Sequence, residues 1–327
     1  MKRLPVLVLL AALLTLPPAT AQPAAGTLPA RWQTGAADCT AATPPLQVHE
    51  YRPGTYVLRQ SLCADFEGPF MYLLIGNRQA LLIDTGAVAD AQSMPLAKTV
   101  LGLLPDDAHG KRPLLVVHTH GHADHRAGDA QFAGLPATRI APTDLAGVRR
   151  FFGLPGWPDA RASVDLGGRK IEVIPTPGHH DAHLAYYDPS TGLLFSGDFL
   201  LPGRLLIEDT ATYADSARRV ATLLRDRPVT HVLGGHIELD AAGQAYPHGA
   251  QHHPDERRLQ LDKRDLLGLP AALAAFNGFY ARQPNYLLSH PLHNLLALAA
   301  GALAALLLVA WALRRWWRRR SAHRAGA

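Results

Sequence analysis

The sequence predicts an α/β domain followed by a helix able to cross a membrane, and three observations predict it. Apolar runs of strand length recur between residues 56 and 233, several of them closed by a turn and then a histidine or aspartate. Stretches of helical length alternate with these runs. Leu295 to Leu313 holds no charged residue and is followed at once by arginines.

Taken in order, residues 1–21 read as a secretory signal: Lys2 and Arg3, an apolar stretch from Leu4 to Leu16, then Ala19-Thr20-Ala21 as a small-residue cleavage site. No cysteine follows that site, which argues against lipoprotein processing, and the mature chain begins at Gln22. An uncleaved anchor is the weaker alternative, because the apolar stretch is short for a span. Residues 22–54, rich in Ala, Pro and Thr, read as an N-terminal extension. Residues 55–285 read as the catalytic domain. Its strands are expected at Tyr56 to Leu58, Met71 to Ile75, Ala80 to Ile83, Leu114 to Val117, Ile171 to Ile174, Leu193 to Phe195 and Val229 to Leu233. Helices are expected at Ala91 to Leu104, from about Asp124, at Ala214 to Leu224 and through much of 254–282.

Residues 292–313 read as a transmembrane helix. The charge-free run, at about 1.5 Å per residue, nearly matches a hydrocarbon layer of roughly 30 Å. Trp311, Trp316 and Trp317 mark an interface, and the basic tail 314–327 places the C-terminus in the cytoplasm by the positive-inside rule. The catalytic domain then lies outside, in the periplasm of a bacterial inner membrane.

The formal charge of +5 and the pI of about 9.4 suggest nucleic acid only at first sight. Lys2, Arg3 and the tail residues Arg314, Arg315, Arg318, Arg319, Arg320 and Arg324 carry eight positive charges, and taking these from +5 leaves −3. No basic stripe remains to grip phosphates, so nucleic acid is excluded as a partner. The two cysteines, Cys39 and Cys63, lie in the exported part outside any ligand-like motif, where a pair forms a disulfide.

The densest chemistry is His118-Thr119-His120-Gly121-His122-Ala123-Asp124-His125, four imidazoles and a carboxylate in eight residues. Imidazole with carboxylate is the donor set of borderline divalent metals such as zinc. The frame His-x-His-x-Asp-His starts at His120; starting at His118 would put His122 where the aspartate belongs, so His118 drops out. Three later segments each end an apolar run with glycine and a ligand type: Pro177-Gly178-His179, Ser196-Gly197-Asp198 and Gly234-Gly235-His236. Leu82-Ile83-Asp84-Thr85-Gly86 precedes them.

These five motifs, in this order over about residues 55 to 240, resemble the metallo-β-lactamase superfamily, in its glyoxalase-II-like and lactonase-like form that keeps seven ligand positions. The resemblance implies a four-layer αββα sandwich, where periodicity alone gives only α/β. It implies that His120, His122 and His179 bind one Zn2+, that Asp124, His125 and His236 bind a second, and that Asp198 bridges them; iron or manganese are alternative metals. Asp124 is the expected catalytic residue, orienting the attacking oxygen. Asp84 is expected behind the ligands rather than among them. His183 and Arg204 are candidates for supporting or substrate-contacting roles; His180 is passed over because the pattern takes the first histidine after Pro-Gly, and His252 and His253 read as solvated loop residues.

Two such ions a few Å apart lower the pKa of a shared water from about 15.7 to about 7, which supplies a bridging hydroxide as nucleophile. The implied activity is hydrolysis of a small-molecule carboxyl ester, thioester, lactone or related bond. Alternatives on the same fold are a β-lactam-cleaving enzyme, disfavoured because those branches typically lack the bridging aspartate, and an iron-dependent thiol or persulfide dioxygenase, disfavoured by the full ligand set. A non-catalytic sensor or binding module is a third reading, against which the intact ligands also weigh.

Overall fold

Alternation within the apolar runs decides which way each strand faces, and the strands assemble into two stacked sheets. The structure, a computed structural model, describes residues 23, 25–40, 43–107 and 110–325, with side chains to 318. The leader expected at 1–21 lies outside the described residues. In chain order the first sheet takes β1 (Leu46–Arg52), β2 (Thr55–Gln60), β3 (Phe70–Ile75) and β4 (Ala80–Ile83). After α1 (Leu96–Leu103) and a small hairpin of β5 (Asp106–Asp107) and β6 (Gly110–Lys111), it gains β7 (Leu114–Val117) and β8 (Thr138–Ile140). Its order is β1-β2-β3-β4-β7-β8, with β4, β7 and β8 parallel. Between β7 and β8 lies the short α2 (Ala123–Arg126), and α3 (Leu145–Phe152) follows β8.

The second sheet takes β9 (Ala162–Asp165), β10 (Lys170–Pro175), β11 (Leu184–Asp188) and β12 (Leu193–Gly197). The chain then forms β13 (Arg204–Leu206) and α4 (Thr210–Leu224) and returns as β14 (His231–Gly234), beside which β15 (Gln260–Leu261) completes the order β15-β14-β12-β11-β10-β9. After α5 (Lys263–Ala274), β16 (Tyr280–Arg282) and β17 (Leu287–Ser289) build a separate small sheet, β13-β17-β16. The last element is α6 (Pro291–Ala325).

Successive strand residues point to opposite faces. Tyr72, Leu74, Leu81 and Ile83 therefore meet Val173, Leu184, Tyr186 and Phe195 in the core between the sheets. Met71, Leu73, Leu82 and Val116 turn outward against Leu96 and Val100 of α1. On the other side Ala185, Leu194 and Val232 pack against Tyr213, Ala217 and Val220 of α4 and Leu266 and Leu269 of α5. Covered on both faces, these strands read as continuous apolar runs. The layers are helix, sheet, sheet, helix, the αββα sandwich expected.

Several boundaries differ from those expected, among them the start of α4 at Thr210 and of β14 at His231, and three of the differences have a clear local reason. The helix drawn from Ala91 starts at Leu96, because Asp90 accepts from the backbone of Gln92 and Ser93 and from the Ser93 hydroxyl, turning the chain there, and Pro95 sits at the cap. Within 254–282 only Lys263–Ala274 is helical: Asp262 and Asp265 form a reciprocal capping box at its start, and Asn277-Gly278 turns the chain into β16. β1 falls inside the stretch that composition marks as an extension, and it pairs with β2 from Leu46↔Gln60 to Arg52↔Thr55.

Cys39 and Cys63 are bonded, with Cα atoms 5.2 Å apart and a sequence separation of 24. A loop of this length removes about 3 to 4 kcal/mol of denatured-chain entropy. Replacing both cysteines by serine is expected to destabilise the chain by about that amount, read as a lower midpoint in denaturant with a somewhat steeper slope, because the denatured chain without the cross-link exposes more surface.

Candidate metal centre

The topology delivers every candidate ligand to one edge. β4, β7, β10, β12 and β14 end there, and the residues that follow them are Asp84, the 118–125 segment, His179, Asp198 and His236. Asp124 and His125 lie in α2, with Asp124 in its first turn. Two loops are held by α4: Gly178 O accepts from the backbone N–H of Glu208 and Asp209 at 2.9 and 3.0 Å, and the Tyr213 hydroxyl donates to Phe199 O at 2.6 Å. A side chain at Gly178, where φ is +135°, would lie 2.5 Å from Tyr213 Cα. At Gly235 it would lie 2.5 Å from Asp198 Oδ1 and 2.8 Å from His125 Cε1, so the backbone passes where only glycine fits.

Seven side chains converge in two groups, His120, His122 and His179 in one and Asp124, His125, Asp198 and His236 in the other. In the first, His120 Nε2 is 2.9 Å from His122 Nδ1, and His179 Nε2 is 3.2 Å from both. In the second, Asp124 Oδ2, His125 Nε2 and His236 Nε2 are mutually 3.2 Å apart. Asp198 lies between: Oδ1 is 3.5 and 3.6 Å from the His125 and His236 nitrogens, while Oδ2 is 3.7 Å from His179 Nε2. Ligands at about 2.0 to 2.1 Å from a tetrahedral zinc lie about 3.3 Å from one another, so both groups have the spacing of a metal's coordination shell.

Hydrogen-bond accounting supports the fit. His179 Nδ1 donates to Leu206 O and His236 Nδ1 to Glu67 O, each at 2.8 Å, and His125 Nδ1 faces Asp84 Oδ2 at 3.0 Å. A metal-binding imidazole is neutral and has one N–H, so with Nδ1 engaged in these contacts the three Nε2 atoms are the ones aimed inward and left for a metal. Asp198 Oδ1 is buried without a hydrogen-bond partner. Such an oxygen is costly unless a cation faces it.

The two groups also differ in charge. Burial disfavours charge on His120, His125, His179 and His236 alike. On His120 and His179 it prevails, reinforced by neighbouring imidazoles, and both are pushed below the usual histidine range. On His125 and His236 the carboxylates of Asp124 and Asp198 prevail and raise both, His236 to about 10. Burial likewise opposes ionisation of Asp124 and Asp198, but the facing histidines hold both far below the usual carboxylate range.

The supporting residues fall into place around these groups. Asp84, at φ +63°, accepts from Thr119 N at 2.7 Å and from the Thr119 hydroxyl at 2.9 Å as well as facing His125. His118 turns away and meets Asp129 at 2.8 Å. His183 is fully buried, stacked on the His120 ring with centroids 5.1 Å apart, and its Nδ1 is 2.7 Å from the Thr176 hydroxyl. Arg204 does not stand free over the histidines: its guanidinium pairs with Glu238 at 3.1 Å and donates to Tyr246 O. His180, outside the ligand frame, lines a cleft of about 660 Å³ together with Trp157, Gly178, Glu208 and Asp209. His253 is buried, bonded to Glu256 and stacked on Tyr246. The sequence reading missed Thr119 and the carbonyls of Glu67 and Leu206; backbone acceptors leave no compositional trace.

Residues 64–278 match the Metallo-beta-lactamase superfamily. The chain belongs to that superfamily, as a metal-dependent hydrolase. Acyl-coenzyme A thioesterase MBLAC2 of Gallus gallus is 29% identical over 213 residues, covering 54% of this chain and 75% of that protein. Hydroxyacylglutathione hydrolase of Rhodobacter capsulatus is 35% identical over 167 residues, covering 49% of this chain and 60% of the relative. Among solved structures, a metallo-beta-lactamase from Pontibacter korlensis aligns with a TM-score of 0.47 at 18% identity, over 71% of this chain and 100% of its own.

Asp84→Ala removes the acceptor that fixes His125, and is expected to weaken metal binding by about 10- to 100-fold, read by titration against a competing chelator. An ion entering the Asp124/His125/Asp198/His236 group must displace protons that His125 and His236 hold at neutral pH. Uptake there is expected to release protons and to weaken by about ten-fold per pH unit for each proton displaced as pH falls. Calorimetry in buffers of differing ionisation enthalpy checks this. The His120/His122/His179 group, with His120 and His179 already neutral, is expected to depend less on pH.

Proposed function

We propose that the protein is a membrane-anchored, periplasm-facing binuclear zinc hydrolase of carboxyl esters, thioesters or lactones, with His120, His122 and His179 holding one ion, Asp124, His125 and His236 the other, and Asp198 shared. The observation that carries this reading is the placement of Asp198, one oxygen toward each group. Two divalent ions so held supply a water acidified to a pKa of about 7 and a Lewis acid for an acyl oxygen.

The chain's own residues do the rest. Asp124 stays ionised, lies beside both His125 and His236, and is 23% exposed at its side chain, so it is placed to orient the attacking water through a hydrogen bond that its free oxygen accepts. Asp84, Leu206 and Glu67 fix the ring orientations of His125, His179 and His236. The cleft beside His180 and Trp157 has the volume of a small-molecule site. The relatives' names, an acyl-coenzyme A thioesterase and a hydroxyacylglutathione hydrolase, favour an acyl group carried on a thiol.

Anchoring rests on α6, whose segment Pro291–Arg318 is apolar and long enough to span, with none of its most apolar window buried. Tail arginines favour a cytoplasmic C-terminus, and the disulfide agrees with an oxidising compartment for the domain.

The full chain in lipid nanodiscs, stripped with chelator and reloaded with zinc, is expected to hydrolyse members of a panel of acyl thioesters, lactones and esters. A His120→Ala, Asp124→Ala double variant is expected to lose about 10³-fold or more in kcat/KM. Wild type and variant equally inert across the panel would refute the reading.

A further inference from the structure

Outside α6, four large apolar residues are exposed among the described residues: Val48, Leu206, Phe279 and Tyr280. Three of the four cluster at the small sheet β13-β17-β16, which runs directly into α6. Scattered exposed apolar residues need no explanation, but a group at the root of a spanning helix does.

The register makes the group a surface. Leu206 pairs with Ser289 and Ser289 with Tyr280, so the three form one row across the sheet with side chains on the same face. The neighbouring row, Leu205, Leu288 and Ala281, packs inward on the core beneath α4 and α5. Phe279 precedes Tyr280 in the chain, and Leu292, in the first turn of α6, is 58% exposed.

This face is fixed to the helix rather than tethered. His290 N and Asn294 Nδ2 both donate to Phe279 O at 3.0 Å, His293 Nδ1 donates to Gly278 O at 2.8 Å, and the His290 and His293 rings stack at 3.5 Å. If α6 crosses a bilayer, Leu206, Phe279 and Tyr280 lie at its surface, where aromatic and aliphatic side chains partition favourably. The same segment reaches the metal centre. Leu206 O accepts from His179 Nδ1, and two and three residues later Glu208 and Asp209 line the cleft.

We propose that Leu206, Phe279 and Tyr280 seat the domain in the headgroup layer of the bilayer that α6 crosses, and that the cleft takes an acyl amphiphile whose tail remains in that layer while its ester or thioester reaches the His179 side of the centre. The inference rests on the anchored-hydrolase reading above and adds the substrate class.

The test uses the full chain in phosphatidylcholine nanodiscs. The described cysteines are both in the disulfide, so a fluorophore on Tyr280→Cys, or on Val48→Cys as a control, labels one site. A nitroxide on the lipid headgroup is expected to quench the probe at position 280 about five-fold more than at position 48; equal quenching, or cross-linked dimers through position 280 without quenching, overturns the seat. The Phe279→Ser, Tyr280→Ser double variant is expected to lose about five-fold or more in kcat/KM for a long-chain acyl thioester held in the disc, with a short soluble thioester unaffected. Equal effects on both substrates, or on neither, overturn the amphiphile. Failure of wild type on both thioesters overturns the substrate class, whereas the hydrolase reading falls only with inertness across the whole panel above, and the quenching comparison decides the seat in either case.

Discussion

Thr119 ties the ligand loop of the first sheet to the second sheet, and the metal centre depends on that tie. Its N–H and hydroxyl bind the two oxygens of Asp84, at the end of β4. Its carbonyl accepts from Leu184 N at 2.7 Å, the first residue of β11 in the opposite sheet. Gly197, at φ +50°, leaves room for it: a side chain there would lie 2.6 Å from Thr119 Cβ. Together with Tyr186, whose hydroxyl donates to His118 O at 2.7 Å, and Phe70, whose N–H donates to Gly235 O at 2.8 Å, Thr119 holds the loop carrying His120, His122, Asp124 and His125 against the loops carrying His179, Asp198 and His236. The distances from His120 and His122 to His179, and from Asp124 and His125 to Asp198 and His236, follow from the separation so set.

Given that spacing, charge balance determines what the site holds. Buried carboxylates need compensation, and protons on His125 and His236 provide it only in part, since Asp198 Oδ1 keeps no partner. Divalent ions satisfy the carboxylates and the inward Nε2 lone pairs together. The outer contacts, Asp84, Leu206 O and Glu67 O, decide in advance which nitrogen of each ring faces the ions. The neutral three-histidine side and the carboxylate-bearing side are therefore distinct chemical environments within one pocket.

Much of this was legible in the sequence, and the limits have physical causes. Strands such as Ala80–Ile83 and Leu114–Val117 were readable to the residue because four consecutive buried positions leave no polar ambiguity. The seven converging residues were readable because histidine and aspartate after glycine-closed strands are chemically rare. Thr119 was not, since a threonine between two histidines looks like a spacer. Arg204 was misjudged because nothing near it in sequence announces Glu238, 34 positions away. His253 looked solvated because its partners, Glu256 and Tyr246, are ordinary loop residues until the chain folds the loop onto Arg59. Propensity sees neighbours in sequence, and these errors all come from neighbours in space.

Each group of candidate ligands draws on both sheets, and this has a consequence for how the centre comes into being. His125 and His236 meet although 111 positions separate them in sequence, and His120 meets His179 across 59. Contacts of such long range reward the chain only after much loop entropy has been lost, so they belong to the last steps of folding. Neither sheet alone, and no contiguous fragment short of both, contains a complete group. Occupancy of the centre is therefore a readout of completed folding, and a chain stalled before its sheets dock has the residues of the site without the site.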